Sequence, residues 1–323
     1  MIWLWPLGLI TAAIMLFPYL REPLRRTMGP GSRREAPGEC VALAAGVTHF
    51  QWIGPRRGPV AVCVHGLTTP SFVWHGIAEG LAKLGYRVLI YDLYGRGFSD
   101  RPEGAQDRAF FLSQLEDLLE REGVEEDFLL LGYSMGGAIA TAFAAAHPGK
   151  IRELVLIASA GLQTNVGRMA QVIRRRPRLG EWLIFALFPW LHRRGTEAER
   201  KLQSSVPGIV DLQQRELRFK GFVPAVLASL RGILSENIGE DLRLLHRQGV
   251  PMLAIWGETD DVVPISSVGR MTELARSAKQ AEIAGAGHGL PYTHTDEILD
   301  VIATRHRKGA DLITALGFQD PKP

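Results

Sequence analysis

Apolar runs of about four to eight residues alternate with stretches of about a dozen in which apolar side chains recur at helical spacing, and the alternation continues through most of the chain. The runs predict an antiparallel pair of strands over residues 39–52 and further strands around Ala61, Val88, Phe128, Leu154, Met252 and Ala281. The stretches between them predict helices over residues 72–84, 110–122, 134–147, 266–275 and 297–307. Strands alternating with helices read as βαβ units, so the fold class is α/β with a mostly parallel sheet. No internal repeat or low-complexity tract interrupts it.

Two segments depart from the alternation. Residues 162–247 are helical, basic and aromatic: Arg174, Arg175, Arg176 and Arg178 precede the run Trp182-Leu183-Ile184-Phe185-Ala186-Leu187-Phe188-Pro189-Trp190-Leu191, and Arg193-Arg194 follow it. Such a run either packs over a core with its arginines in solvent, or lines an acyl-chain pocket or rests in a membrane interface with the arginines drawn to anionic lipid.

At the other departure, residues 2–20 contain no charged side chain. At a rise of about 1.5 Å per residue they nearly cross a hydrocarbon core of about 30 Å, which predicts a membrane-anchoring helix over residues 1–21. Pro6 and Pro18 lie near its ends, and the absence of a basic leader or a small-residue cleavage site separates it from a signal peptide. Arg21, Arg25, Arg26, Arg33 and Arg34 follow, so the positive-inside rule puts the rest of the chain on the cytoplasmic side. Residues 22–38 then form a linker. The rival expectation is an interfacial helix, or one packed on its own domain.

Length and composition fit one large domain with an insertion: 323 residues, 46% hydrophobic and 22% charged. A net charge of +3 is too small to call for nucleic acid, and the basic residues are better matched to lipid headgroups. Two cysteines, Cys40 and Cys63, make no disulfide framework and fit a reducing compartment.

The sharpest chemical signal is Gly132-Tyr133-Ser134-Met135-Gly136, set between an apolar run and a run of small residues. Strand, tight turn and helix is the context in which a G-x-S-x-G presents its serine on a sharp bend. A serine hydroxyl is a weak nucleophile at neutral pH and needs a base, which in turn needs a group to orient it. Downstream, the run ending at Trp256 opens into Gly257-Glu258-Thr259-Asp260-Asp261, and residues 280–284 lead into Gly285-Ala286-Gly287-His288-Gly289. Ser, acid and His thus occur in that order, each in a loop after a strand. Spacing leaves Asp260, Asp261 and Glu258 all open as the acid.

These motifs, together with Val60 to His65-Gly66 and the stretch Tyr91-Asp92-Leu93-Tyr94-Gly95-Arg96-Gly97-Phe98-Ser99-Asp100, resemble those of the α/β-hydrolase family of esterases, monoacylglycerol lipases and carbon–carbon bond hydrolases. The resemblance spans nearly all of residues 60–300. It implies an eight-stranded sheet with helices on both faces, a hydrolase core over residues 39–161 and 248–310, a helical cap over 162–247 and a C-terminal tail over 311–323. It makes Ser134 the nucleophile, His288 the base and Asp260 the acid, with the backbone N–H groups of Leu67 and Met135 as the oxyanion hole. His65 reads as a structural histidine, and Asp92 and Asp100 as loop-fixing carboxylates. His294 is a neighbouring histidine at a helix start that Thr293 or Thr295 would cap.

The implied activity is hydrolysis of a hydrophobic carboxylic ester, lipid or monoacylglycerol-like, by a membrane-associated enzyme through an acyl-enzyme. Its partners are that ester and membrane lipids; no cofactor and no metal is called for. A carbon–carbon bond hydrolase or perhydrolase keeps the same triad, and a non-catalytic scaffold would be expected to lack one of its members. Serine at the elbow argues against epoxide and haloalkane hydrolases, which use aspartate there. The glycines around Arg96 do not complete a dinucleotide fingerprint, there is no P-loop, and no His/Cys spacing suits zinc.

Overall fold

The structure, a computed structural model, describes residues 4–162 and 168–315. Its strands are β1 (Glu39–Leu43), β2 (Gly46–Ile53), β3 (Val60–Val64), β4 (Arg87–Tyr91), β5 (Phe128–Tyr133), β6 (Ile151–Ile157), β7 (Met252–Gly257) and β8 (Lys279–Ile283). They form one eight-stranded sheet in the order β1-β2-β4-β3-β5-β6-β7-β8. Pairing is antiparallel between β1 and β2 and between β2 and β4, and parallel elsewhere.

The central strands are apolar at nearly every position because both faces of the sheet are covered. Successive side chains alternate between two buried layers. Val62, Val64, Phe128 and Leu130 face one layer, under helices Arg108–Arg121, Met135–Ala146 and Gly239–Arg247. Ala61, Cys63, Leu129 and Leu131 face the other, under helices His75–Lys83 and Thr295–Ala315. The parallel strands end together, and their carboxyl ends make the crevice in which open α/β sheets bind ligands.

Between β6 and β7 the chain leaves the sheet for helices Arg168–Arg175, Pro177–Ala198, Ile209–Arg215, Phe222–Arg231 and Gly239–Arg247. The first four make a cap with its own small core around Ile184, Leu217, Phe222 and Val226. Arg96, fully buried in the loop after β4, fastens this cap to the sheet: it donates to Leu67 O (3.1 Å), Tyr94 O (2.8 Å), Ala225 O (3.2 Å), Ser229 Oγ (2.7 Å) and Gln106 Oε1 (2.5 Å). On the exit side, Arg108 grips both oxygens of Asp241 at 2.9 and 2.6 Å.

Glu216, a buried residue of the cap, accepts the Gly97 N–H at 2.8 Å and lies 3.6 Å from Arg101. Burial raises its carboxyl to about 7, against the opposing pull of Arg101. A carboxyl that binds its proton more tightly when folded gives stability that is complete below its free value and lost as pH climbs from there toward 7. Unfolding free energy should therefore fall between about pH 4.5 and 7, by as much as about 3 kcal/mol from this group. Urea titrations at pH 5 and pH 8 should show a smaller decline in Glu216→Gln than in the wild type.

The N-terminal expectation needs correction. Leu4–Arg21 is a helix, but among the described residues no helix is long and apolar enough to cross a membrane. Its 18 described residues span about 27 Å, with Pro18 and Arg21 in the last turn. Residues 1–3 of the expected anchor lie outside the described residues. At its C-terminal end the helix leans on the cap, with the Tyr19 ring 5.5 Å from Phe185.

The expected linker is packed as well. The Arg26 backbone bridges to Phe219, Gly221 N–H donates to Glu22 at 2.6 Å, and Arg33 Nε reaches Phe98 O at 2.8 Å. At the other end, helix Thr295–Ala315 runs into the expected tail, whose residues 316–323 lie outside the described residues.

Candidate active site

Ser134 sits at the carboxyl end of β5 with φ +53° and ψ −117°, a conformation that costs a non-glycine residue about 1–3 kcal/mol. Its neighbours hold it there. Ser134 N–H donates to Ile157 O at 3.0 Å, and Ser134 O accepts from Gly137 and Ala160 N–H, both at 2.9 Å. The glycines of the motif are there for close approach: a Cβ on Gly136 would lie 2.0 Å from Val64 O, and one on Gly132 2.5 Å from Gly136 O.

Asp260 follows β7 and His288 follows β8, and both turn toward Ser134. His288 Nε2 is 3.0 Å from Ser134 Oγ, and His288 Nδ1 is 2.8 Å from Asp260 Oδ2. The other Asp260 oxygen accepts the Val262 and Val263 N–H groups, both at 2.8 Å. Those two bonds aim the carboxylate, and the Asp260 side chain is wholly buried. Of the three acids open on spacing, Asp260 is the one on the imidazole. Glu258 instead accepts the Gly285 N–H at 2.8 Å, and Asp261 is exposed.

The loop after β3 closes the other side. A Cβ on Gly66 would lie 3.3 Å from Ser134 Cβ, and Gly66, Leu67 and Ser134 line the same cavity. Met135 opens helix Met135–Ala146, where the first N–H groups have no carbonyl a turn back and the dipole presents its positive end. The arrangement can pass a proton from hydroxyl to imidazole and offers N–H groups near the point where negative charge would form.

His65 is fully buried, donates from Nδ1 to Gly66 O (2.8 Å) and accepts the Leu93 N–H on Nε2 (2.9 Å). Burial pushes its pKa down to about 4, so it is a neutral strut between two loops. Burial would raise the Asp92 carboxyl, but His49 outweighs it and holds it well below the usual range. Asp92 accepts from His49 Nδ1 (2.7 Å), Phe98 N–H (2.8 Å) and Ser71 N–H (2.9 Å). Asp100 likewise fixes Val47 N–H at 2.7 Å. Near His294, Thr293 and Thr295 donate back to Gly289 O and Pro291 O instead of capping the helix ahead, because each hydroxyl finds a carbonyl of the preceding turn.

A cavity of about 650 Å³ opens over Ser134 between sheet and cap. Leu67, Leu162, Leu230, Leu234, Val262 and Val263 supply its apolar lining. The run Trp182 to Leu191 does not contribute to it: Ile184 and Pro189 pack inward while Leu187, Trp190 and Leu191 face outward. The later turns of the same helix do, through His192 and Thr196, joined by Glu199 just beyond its end and by Gln213, Thr69 and Tyr292. Sequence reasoning missed these polar residues, as it missed the His49 partner of Asp92. Arg174 also lines the cavity and donates to Leu230 O and Leu234 O, so the arginine run is not one solvated face.

A family model described as alpha/beta hydrolase fold matches residues 59–295. Lipase 1 of Psychrobacter immobilis is 24% identical over 260 residues, covering 76% of this chain and 76% of the lipase. Among solved structures, an esterase from Thermogutta terrifontis matches with a TM-score of 0.70 at 21% identity, over 84% of this chain and 99% of the esterase. A meta-cleavage product hydrolase from Pseudomonas fluorescens matches with a TM-score of 0.64 at 22% identity, over 84% of this chain and 98% of that one.

Proposed function

The chain belongs to the α/β-hydrolase fold family, and from that premise we propose that it is a serine hydrolase of hydrophobic carboxylic esters. The observation that supports this reading is the line from Asp260 Oδ2 through His288 to Ser134 Oγ, with separations of 2.8 and 3.0 Å. Ser134 attacks the ester carbonyl while His288 takes its proton, and the Leu67 and Met135 N–H groups hold the oxyanion. The leaving alcohol then takes the proton from His288, and water on the same path releases the acid. Lipase 1, matched over about three quarters of both chains, supports an oxygen ester as the substrate.

A fluorophosphonate probe should label the wild type at Ser134 and leave Ser134→Ala unlabelled. Labelling that is indifferent to Ser134 would remove the reading, and no labelling at all would favour a scaffold. An ester series from acetyl to long acyl, with Ser134→Ala as the blank, then gives the preferred chain.

The same reading attaches the enzyme to a membrane surface without a span, on the cytoplasmic side. Leu9, Ile10, Ile14, Met15, Leu16 and Phe17 are each more than half exposed, so the N-terminal helix offers apolar side chains to whatever surrounds it. Arginines stand at its base: burial, then the neighbouring Arg21 and Arg193, hold the Arg25 pKa down against Glu22. An apolar projection with a basic collar matches an anionic leaflet. Flotation with vesicles containing phosphatidylglycerol should carry the wild type, and Leu16→Ser/Phe17→Ser should bind about tenfold more weakly. Equal binding by both proteins would overturn the attachment, and dimerisation without lipid would assign the helix to a second copy.

A further inference from the structure

We propose that the catalytic cavity contains a subsite for free hydroxyl groups on the alcohol portion of the ester, built from Gln213, His192 and Glu199 of the cap against Tyr292 and Thr69 of the core. The inference rests on the ester reading of Ser134 and names the kind of ester.

Its basis is a buried acceptor that the fold leaves without a donor, Gln213 Oε1, with two further acceptors lining the same cavity. Tyr292 gives its hydroxyl proton to Glu199 at 2.6 Å, so its oxygen can only accept. Gln213 Nε2 donates to Thr69 Oγ1 at 3.2 Å, which turns the other end of the amide away from Thr69. The opposite atom, Gln213 Oε1, is buried with no partner, in a residue only 4% exposed. A buried amide oxygen in that state is unfavourable, and a ligand hydroxyl relieves it.

His192 extends the set. Burial lowers its pKa, so the ring is neutral, and Nε2 donates to Gln213 O at 3.2 Å. That tautomer makes Nδ1 an acceptor. Glu199 adds the third acceptor: it takes the Tyr292 proton and forms no ion pair among the described residues. Two of the three acceptors are neutral, which suits a hydroxyl better than an ammonium group.

The set also stands on the correct side of the reaction. Tyr292 is on the short helix Leu290–Thr293 directly after His288, and its hydroxyl lies 2.6 Å from where a Cβ on Gly289 would be. His288 must hand its proton to the departing alcohol oxygen, so the alcohol portion lies beside the imidazole. An alcohol such as methanol brings no further donor to this wall. A glycerol-like alcohol brings one or two, while its acyl chain takes the apolar remainder of the cavity.

The test compares a glycerol monoester with the methyl ester of the same acyl chain. In Gln213→Leu and in Glu199→Gln, kcat/KM for the glycerol ester should fall about tenfold or more while the methyl ester changes less than about threefold. Equal falls on both esters, or no change on either, would overturn the subsite. Titration of both esters into Ser134→Ala reads the same preference without chemistry. Tighter binding of the glycerol ester, lost in Ser134→Ala/Gln213→Leu, supports the subsite, and equal affinities overturn it. Hydrolysis surviving in Ser134→Ala would instead count against the serine mechanism, and the ratio of kcat/KM between the two esters in wild type and Gln213→Leu would still decide the subsite.

Discussion

Ser134→Ala and His288→Ala should each lower ester turnover by about 10⁴-fold or more, and the double variant should fall little further. The two side chains act as one unit at 3.0 Å, so removing either disables the other. Folding should survive, since the strained backbone at Ser134 is held by main-chain bonds to Ile157, Gly137 and Ala160 that alanine keeps. Asp260→Asn belongs to the same series. Val262 and Val263 N–H groups already occupy one oxygen, so an asparagine must keep its carbonyl there and turn its NH₂ toward the imidazole. That favours the wrong tautomer, and the expected loss is again about 10⁴-fold. Steady-state rates on an activated ester, with circular dichroism as the folding control, check all three. A Ser134→Ala enzyme within tenfold of wild type would remove the triad assignment.

Arg96→Met should destabilise the protein by about 3 kcal/mol and lower kcat as well. Among the described residues the guanidinium meets no carboxylate directly, and burial, with Arg101 adding to it, lowers its pKa to about 9, so the charge itself is costly. Its worth lies in its donors. Methionine fills much of the volume and relieves the charge, but leaves the Leu67, Tyr94 and Ala225 carbonyls, Gln106 and Ser229 short of a donor. Each buried acceptor left bare costs about 1–3 kcal/mol, which exceeds what is regained. Because one of these bonds ends on Leu67, the loop beside Ser134 should loosen together with the cap. Denaturant midpoints and kcat measured on one preparation decide this: unchanged stability would mean that the five bonds are not the clamp they resemble.

The two effects differ in how far a linear reading could reach them. The central strands lay in apolar runs because burial on both faces leaves no polar alternative, and the elbow was legible because its glycines are forced by contacts under 3 Å. The choice of Asp260 required geometry, since its orientation comes from N–H groups two and three residues later. Arg96 looked like a variable position inside a glycine motif, yet its partners lie as far along the chain as Ser229. Gln213 and Glu199 had no signal at all: a polar residue on a cap helix reads as solvated until the fold shows which way it faces. The N-terminal segment misled for the converse reason. Hydropathy reports what a helix would tolerate around it, and not whether its length suffices or its flanks are bonded to the body.

β6 and β7 are hydrogen-bonded neighbours, with Leu154 opposite Met252, although the entire cap lies between them in the chain. The polypeptide thus departs and returns through one narrow gate in the sheet, as a drawer slides into a cabinet. Substrate preference and bond-breaking chemistry are separable inheritances in such a layout. A chimera that receives a foreign cap should acquire the donor's taste in alcohols and keep its own turnover, provided the transplant brings a carbonyl and a hydroxyl to where Ala225 and Ser229 meet Arg96.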